Sequence, residues 1–263
     1  MEIITQNLDQ FRVFVLVLVR SSVILVFLPI FGSRNWPLLA KLGFVLLFGL
    51  ILFPLAKDQN WPLPASVFDY GLIVAAEMLV ALCLGLAVDL VLAGVQLGGQ
   101  LVGFQLGFSI VNVIDPQSGN QISIIGQFLY LITILLFLVL NGHHLFIQAL
   151  AESLTAIQPG KVSLSTGLLN QVMSLSLTMF GLAIKLVAPA LAVLLFSKTI
   201  MGVIAKAVPQ INIMIVSFPL NIGVGLFFIG LSLAWVGTFM QVFVERDLGL
   251  HLSRALRALG GGG

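Results

Sequence analysis

Six apolar runs, at about 11–32, 38–56, 71–95, 122–141, 172–196 and 211–244, take up most of this 263-residue chain. Each is long enough for the roughly 20 residues of helix that cross a bilayer, where every backbone polar group has to be satisfied inside its own segment. The pattern predicts an all-α membrane protein with about six hydrophobic segments, short turns and no separate soluble domain. It reads as one integral-membrane domain over residues 1–259, with Gly260 to Gly263 as a linker remnant outside the fold. Turn chemistry falls between the runs. Gly32-Ser33-Arg34-Asn35-Trp36-Pro37 precedes the second, and Lys57-Asp58-Gln59-Asn60-Trp61-Pro62-Leu63-Pro64 follows it. Trp36 and Trp61 flank that run as interfacial anchors do.

Composition removes several classes of function. Charged residues make up 8% of the chain, against about a quarter in soluble domains. Twelve basic and ten acidic residues give a net charge of +2 with no basic block, so nothing here is arranged to neutralise nucleic-acid phosphates. The one cysteine, Cys83, excludes an intrachain disulfide; set in an apolar run without basic neighbours, it reads as a small buried hydrophobe. The first ten residues hold Glu2 and Asp9 and no Lys or Arg, and the run that follows ends in Pro-Ile-Phe-Gly-Ser-Arg. That predicts a first membrane segment, not a removable leader. Basic residues are spread over 33–41, 57, 161, 198–206 and the tail, so the positive-inside pattern sets no orientation.

The runs carry charges and prolines. Arg20, Glu77, Asp89 and Lys185 lie inside them, and Pro29, Pro54, Pro189 and Pro219 at or within them. A charge at mid-bilayer costs a few kcal/mol even on lenient scales, so these residues have to pair, snorkel or face protein. Two stretches are amphipathic. Gln148, Glu152 and Thr155 share one face of 145–157, and Gln171, Ser174 and Thr178 share one face of 163–178, with Asn170 beside them. In the tail, Leu248, Leu252, Leu256 and Leu259 oppose Arg246, Arg254 and Arg257, which reads as an interfacial basic helix.

One stretch breaks the apolar pattern: Gln96-Leu97-Gly98-Gly99-Gln100-Leu101-Val102-Gly103-Phe104-Gln105-Leu106-Gly107-Phe108-Ser109, running on to Asp115-Pro116. Gly99, Gly103 and Gly107 recur every four residues, on one helical face, with Gln96 and Gln100 on a neighbouring stripe. Small residues at that spacing let two helix backbones approach closely; the same face also suits a hydrated pore wall, and the spacing leaves both open. The pattern predicts helix up to Asp115-Pro116, where it breaks. A second polar interruption, Pro209-Gln210-Ile211-Asn212 and Ser217-Phe218-Pro219-Leu220-Asn221, reads as a kinked span or two helices meeting at a turn, with Gly223, Gly225 and Gly230 inviting close packing. Asn141-Gly142-His143-His144 reads as a turn with polar caps, since adjacent histidines diverge on a helix and no third ligand stands at metal spacing. No Walker A, dinucleotide fingerprint or Gly-x-Ser-x-Gly elbow appears, and no cofactor is implied.

Taken in order, the patch from Gln96 to Gly119, the Asn141 to His144 turn, Pro209 to Asn212 and Ser217-Phe218-Pro219 resemble the flagellar biosynthesis protein FliR family, whose injectisome counterparts are the SctT-type export proteins. The likeness covers about residues 5–257. It implies a non-enzymatic subunit of the flagellar type III export gate in the basal body of the bacterial inner membrane. Kinked helical hairpins would join P-type and Q-type subunits in a helical, closed conduit for unfolded flagellar proteins, lying largely above the membrane plane and meeting the B-type and A-type components. It implies that Phe108, Ser109, Ile110, Val111, Asn112, Val113 and Ile114 plug the pore, with Asp115 and Pro116 as hinge. It also implies that Gln96, Gln100 and Gln105 touch the passing chain, and that buried Glu77, Asp89 and Lys185 are satisfied by partner subunits.

Two other readings compete. A secondary transporter of a small solute would use a site near Gln100, Glu77 and Asp89 and would show inverted repeats, of which the two halves give no convincing sign. An intramembrane enzyme would use His143 or His144 with a carboxylate, and alanine at both histidines would abolish it.

Overall fold

The computed structural model describes residues 2–27, 37–57, 59, 61, 64, 66–108, 123–162, 166–210 and 212–260. Their order is α1 (Glu2–Phe27), α2 (Leu38–Lys57), α3 (Val67–Leu106), α4 (Ile124–Val139), α5 (Gly142–Ala156), α6 (Thr166–Ala207), α7 (Ile213–Val242), a π-helical turn (Phe243–Leu248) and α8 (Gly249–Leu259). The fold is all-α. Among the described residues four helices are long and apolar enough to cross a membrane, or five if α4 and α5 form one broken span. The chain divides into two compact units, residues 1–90, 137–175 and 243–263, and residues 91–136 and 176–242.

In the first unit, α1 lies along α2. The Phe14 and Phe53 rings meet edge to face with centroids 5.6 Å apart, and Gly49 makes room for Leu18. Both helices touch α5, which in turn packs on α8 and the π-helical turn. The first half of α3 starts from a capping box: Asp69 N–H donates to Ser66 Oγ (3.1 Å), and Ser66 N–H returns a bond to the Asp69 carboxylate (3.1 Å). This arrangement satisfies donors that a helix start otherwise leaves open.

Three expectations change in this unit. The leucine face of α8 is not turned to lipid. Leu252, Leu256 and Leu259 are buried with Ala255, because α5 supplies an apolar surface for them; Arg254 and Arg257 stay exposed. Trp61 is buried instead of standing at an interface, while Trp36 lies outside the described residues. Asn141 caps nothing with its side chain. It takes a left-handed conformation (φ 60°), and Gly142 follows because the Phe137 ring fills the space a Cβ would need.

In the second unit, the latter half of α3 is flanked by α4 and α6. A Cβ on Gly94 would meet the Met179 carbonyl oxygen at 2.8 Å, and one on Gly98 would meet Leu186 at 3.0 Å. On another side, a Cβ on Gly99 would stand 2.7 Å from Gly126 Cα, and one on Gly103 would stand 2.5 Å from Ser123 Oγ. Ser123 also starts α4, its Oγ accepting the Gly126 N–H (3.2 Å). The glycine stripe is therefore a seam where backbones touch. α7 runs unbroken through Pro219. Gly225 accommodates Leu106, whereas Gly223 and Gly230 have open space around them and pack on nothing described.

Candidate functional site

α3 ends at Leu106, well short of the expected break at Asp115-Pro116. Gly107 takes a positive φ of 92°, its N–H bonds to the Phe104 carbonyl (3.2 Å), and the Phe108 N–H bonds to the Gly103 carbonyl (3.3 Å). These are the two bonds of a Schellman cap, in which glycine is favoured because it has no Cβ to strain the left-handed turn. The Phe218 side chain presses on the same glycine from α7. Phe108 is half-buried. Ser109, Ile110, Val111, Asn112, Val113, Ile114, Asp115 and Pro116 lie outside the described residues.

Beside this cap the two polar interruptions of the sequence come together. α6 and α7 are joined by a short connection around Pro209 and Gln210 and so run as neighbours. Their facing ends and the end of α3 enclose a cleft of about 370 Å³, lined by Phe104, Gln105, Lys198, Ser217, Phe218 and Asn221 among others. Lys198 Nζ donates to Gln105 Oε1. Ser197 Oγ donates to Asn221 Oδ1 (2.7 Å) in a buried bond. The cleft thus mixes amide and hydroxyl donors and acceptors with one cation and two phenyl rings. Such a lining can hydrogen-bond a peptide main chain and cover apolar side chains, and it pairs no nucleophile with a base.

The remaining expected residues separate by role. Gln96 and Gln100 are half-buried; the Gln96 carbonyl and the Gln100 stem lie 3.0 Å from where a Gly126 Cβ would sit. They belong to the α3–α4 seam together with Gly99 and Gly103, and Gln105 belongs to the cleft. Of the three charges expected inside, Glu77 alone is buried, 1% exposed. Asp89 and Lys185 are exposed on the chain itself, because each points away from the helices that cover its own segment. Glu77 is fully engaged. Arg20, 0% exposed, donates from Nη2 to Glu77 Oε1 (2.7 Å) and from Nε to Oε2. Its Nη1 donates to the carbonyls of Ser153 (2.6 Å) and Ile157 (3.1 Å) at the end of α5. With both carboxylate oxygens taken, Glu77 is not free to bind a solute, which removes it from the transporter reading. His143 and His144 stand with ring centroids 4.2 Å apart, and among the described residues no group of three His, Cys, Asp or Glu is placed to hold a metal.

Sequence reasoning did not single out Lys198, Ser197 or the Arg20–Glu77 pair. Lys198 showed only as a basic residue near a loop. Arg20 and Glu77 were visible as opposite charges in separate apolar runs, a signal that suggests pairing without saying with whom.

Helices this long and apolar, with a polar cleft at their ends, make this an all-α membrane protein. It belongs to the bacterial export proteins, family 1: the family profile matches residues 11–246. The flagellar biosynthetic protein FliR of Bacillus subtilis (strain 168) is 35% identical over 259 residues, 97% of this chain and 98% of its own length. The FliR protein of Caulobacter vibrioides is 27% identical over 231 residues, covering 86% and 91% of the two chains. That of Escherichia coli K12 is 25% identical over 218 residues, 81% of each.

Proposed function

We propose that this chain is a structural, pore-forming subunit of the flagellar type III protein export gate. In this reading it joins P-type and Q-type subunits in a closed conduit for unfolded flagellar proteins, in the basal body of the inner membrane, and meets the B-type and A-type components there. The observation that carries it is end-to-end similarity to a FliR protein, 35% identity over 97% of this chain. The cleft at the end of α3 supports it, since amides and phenyl rings engage any extended chain regardless of sequence.

Residues 108–116 form the plug in this reading. Phe108, Ile110, Val111, Val113 and Ile114 supply apolar bulk to a narrow passage, which excludes water and ions by dewetting. Gly107 lets the backbone turn out of α3, and Asp115-Pro116 acts as the hinge on the far side. The chain carries no phosphate-binding loop, so the energy for movement comes from outside it.

The test is gentle purification of the tagged chain from its native operon, followed by native mass spectrometry. A defined complex with two other small hydrophobic proteins is the expected result. A stable monomer or homodimer, obtained with those neighbours co-produced, overturns the reading. Removing 108–114 should then leave the complex assembled but leaky to ions in planar bilayers; unchanged conductance counts against the plug.

A further inference from the structure

The cleft at the end of α3 holds more hydrogen-bond donors than its own acceptors use. Its described lining contains no Asp or Glu and one cation, Lys198, which stands exposed on α6. Among the described residues the ion pairs join Arg12 to Asp9 and Arg20 to Glu77, and Lys198 takes part in neither. An ammonium carries three N–H donors. Among the described residues these meet one acceptor, the neutral amide oxygen Oε1 of Gln105.

The amides beside the lysine are turned to match. Lysine only donates, so Gln105 gives it the oxygen and keeps its NH2 group for something else. Asn221 is 6% exposed, and its Oδ1 accepts the Ser197 hydroxyl at 2.7 Å. Both amide oxygens are thus engaged from α6, while neither NH2 group has an acceptor among the described residues. Ser217 lies one turn before Asn221 on the same face of α7 and adds a hydroxyl without a partner among the described residues. At the cap of α3 the Gly103 and Phe104 carbonyls are taken by the Phe108 and Gly107 N–H groups, so they do not compete for the ammonium.

Buried donors without acceptors are costly, and this surplus calls for an acceptor from outside. Charge and size narrow the choice. One ammonium balances one negative charge, whereas a phosphate monoester brings nearly two and finds no arginine fork in the lining. A carboxylate has two oxygens and about four lone-pair sites, enough for the ammonium and both amides. Phe104 and Phe218 belong to the same lining and give the methylene stem of such a group apolar surface to lie on.

We infer that this corner of the cleft is a carboxylate-binding site, in which Lys198 Nζ, Gln105 Nε2 and Asn221 Nδ2 hold an acidic group of the chain in transit. The inference rests on the export-gate reading and deepens it. The rings accept any extended chain, and this corner adds a preference within that tolerance. Hydrogen bonds to an ionised acceptor are about twice as strong as neutral ones, so an acidic group is gripped here where an apolar one is not.

The experiment uses the purified complex of the full chain with its operon neighbours and three fluorescent peptides rich in Gly and Ser. The first has blocked ends and a single Glu. The second has Gln in its place, and the third has that Gln and a free C-terminal carboxylate. Fluorescence anisotropy should show one or both carboxylate peptides binding at least ~5-fold more tightly than the neutral one. Which of them does so separates a side-chain carboxylate from a chain terminus. Lys198→Gln should abolish the preference, while Lys206→Gln, which removes a charge outside the cleft lining, should keep it. Absence of binding, equal binding of all three peptides, a preference that survives Lys198→Gln, or one that Lys206→Gln also removes overturns the inference. If the Lys198→Gln complex fails to assemble, carbodiimide coupling of the Glu peptide to the wild-type complex decides. An isopeptide bond to Lys198 supports the site, and coupling only elsewhere overturns it. An assembled complex without the preference sinks this inference alone; a wild-type chain that purifies without its neighbours sinks the export-gate reading.

Discussion

Arg20 and Glu77, 57 positions apart in sequence, meet as a two-pronged ion pair that is almost completely shielded from solvent. The guanidinium also ties the pair to the carbonyl end of α5, so three helices depend on one side chain. Those carbonyls carry the partial negative charge of a helix C-terminus, which suits a cation.

Removing one partner leaves the other charged and buried. Arg20→Met or Glu77→Gln should destabilise the protein by about 3–5 kcal/mol, whereas Arg20→Met with Glu77→Met should recover most of that loss. Exchanging the two residues should not rescue, because a carboxylate at position 20 would face the Ser153 and Ile157 carbonyls. Denaturant unfolding in detergent, followed by tryptophan fluorescence, distinguishes these outcomes. A double variant that loses the sum of the two single losses would mean that the pair is not coupled.

The glycines of α3 and α6 differ in what surrounds them. Gly99→Ala places a methyl against the Gly126 backbone, which cannot rotate away, and should cost about 1–3 kcal/mol. Gly181→Ala meets nothing within 4 Å and should be neutral or gain up to ~1 kcal/mol from helix propensity. Melting temperatures of the two variants in one detergent make the comparison directly.

Gly107 is constrained twice, by its positive φ and by the Phe218 ring. Gly107→Ala should cost about 1–3 kcal/mol through backbone strain alone, plus a steric share. Phe218→Leu in the same chain should relieve only the steric share. A double-mutant cycle with a coupling of about 0.5 kcal/mol or more supports both constraints; strict additivity would show that the ring exerts none.

Spin labels on α8 report which face is covered. Leu256→Cys should carry an immobile label shielded from both oxygen and a water-soluble nickel chelate, because Leu256 is buried with Leu252 and Leu259. Arg254→Cys should carry a mobile, accessible one. An oxygen-accessible label at 256 would return that face to lipid.

The long apolar runs and their breaks were legible because hydrophobic length is a local property. So was the Gln/Gly patch, since every residue that makes it unusual is contiguous. What periodicity cannot report is the material covering an apolar face. The leucines of α8 carry the same pattern whether lipid or α5 lies against them. The stop after Leu106 was missed for a related reason: any of Gly98, Gly99, Gly103 or Gly107 suits a helix end, and only the left-handed turn at Gly107 shows which one is used. The Arg20–Glu77 pair and the Ser197–Asn221 bond depend on contacts across 57 and 24 positions, distances over which a pattern of residue types carries no register.

The seam between α3 and α4 has an electrical side. Where Gly99 faces Gly126, two backbones approach until not even a methyl fits between them. A water molecule takes up about 30 Å³ in the liquid, comparable to that missing methyl, so the crossing has no place for one either. Without water at the crossing, a proton or a sodium ion has no route between these two glycines. The pair of glycines is therefore a dry joint, and any charged leak along this seam has to go around it.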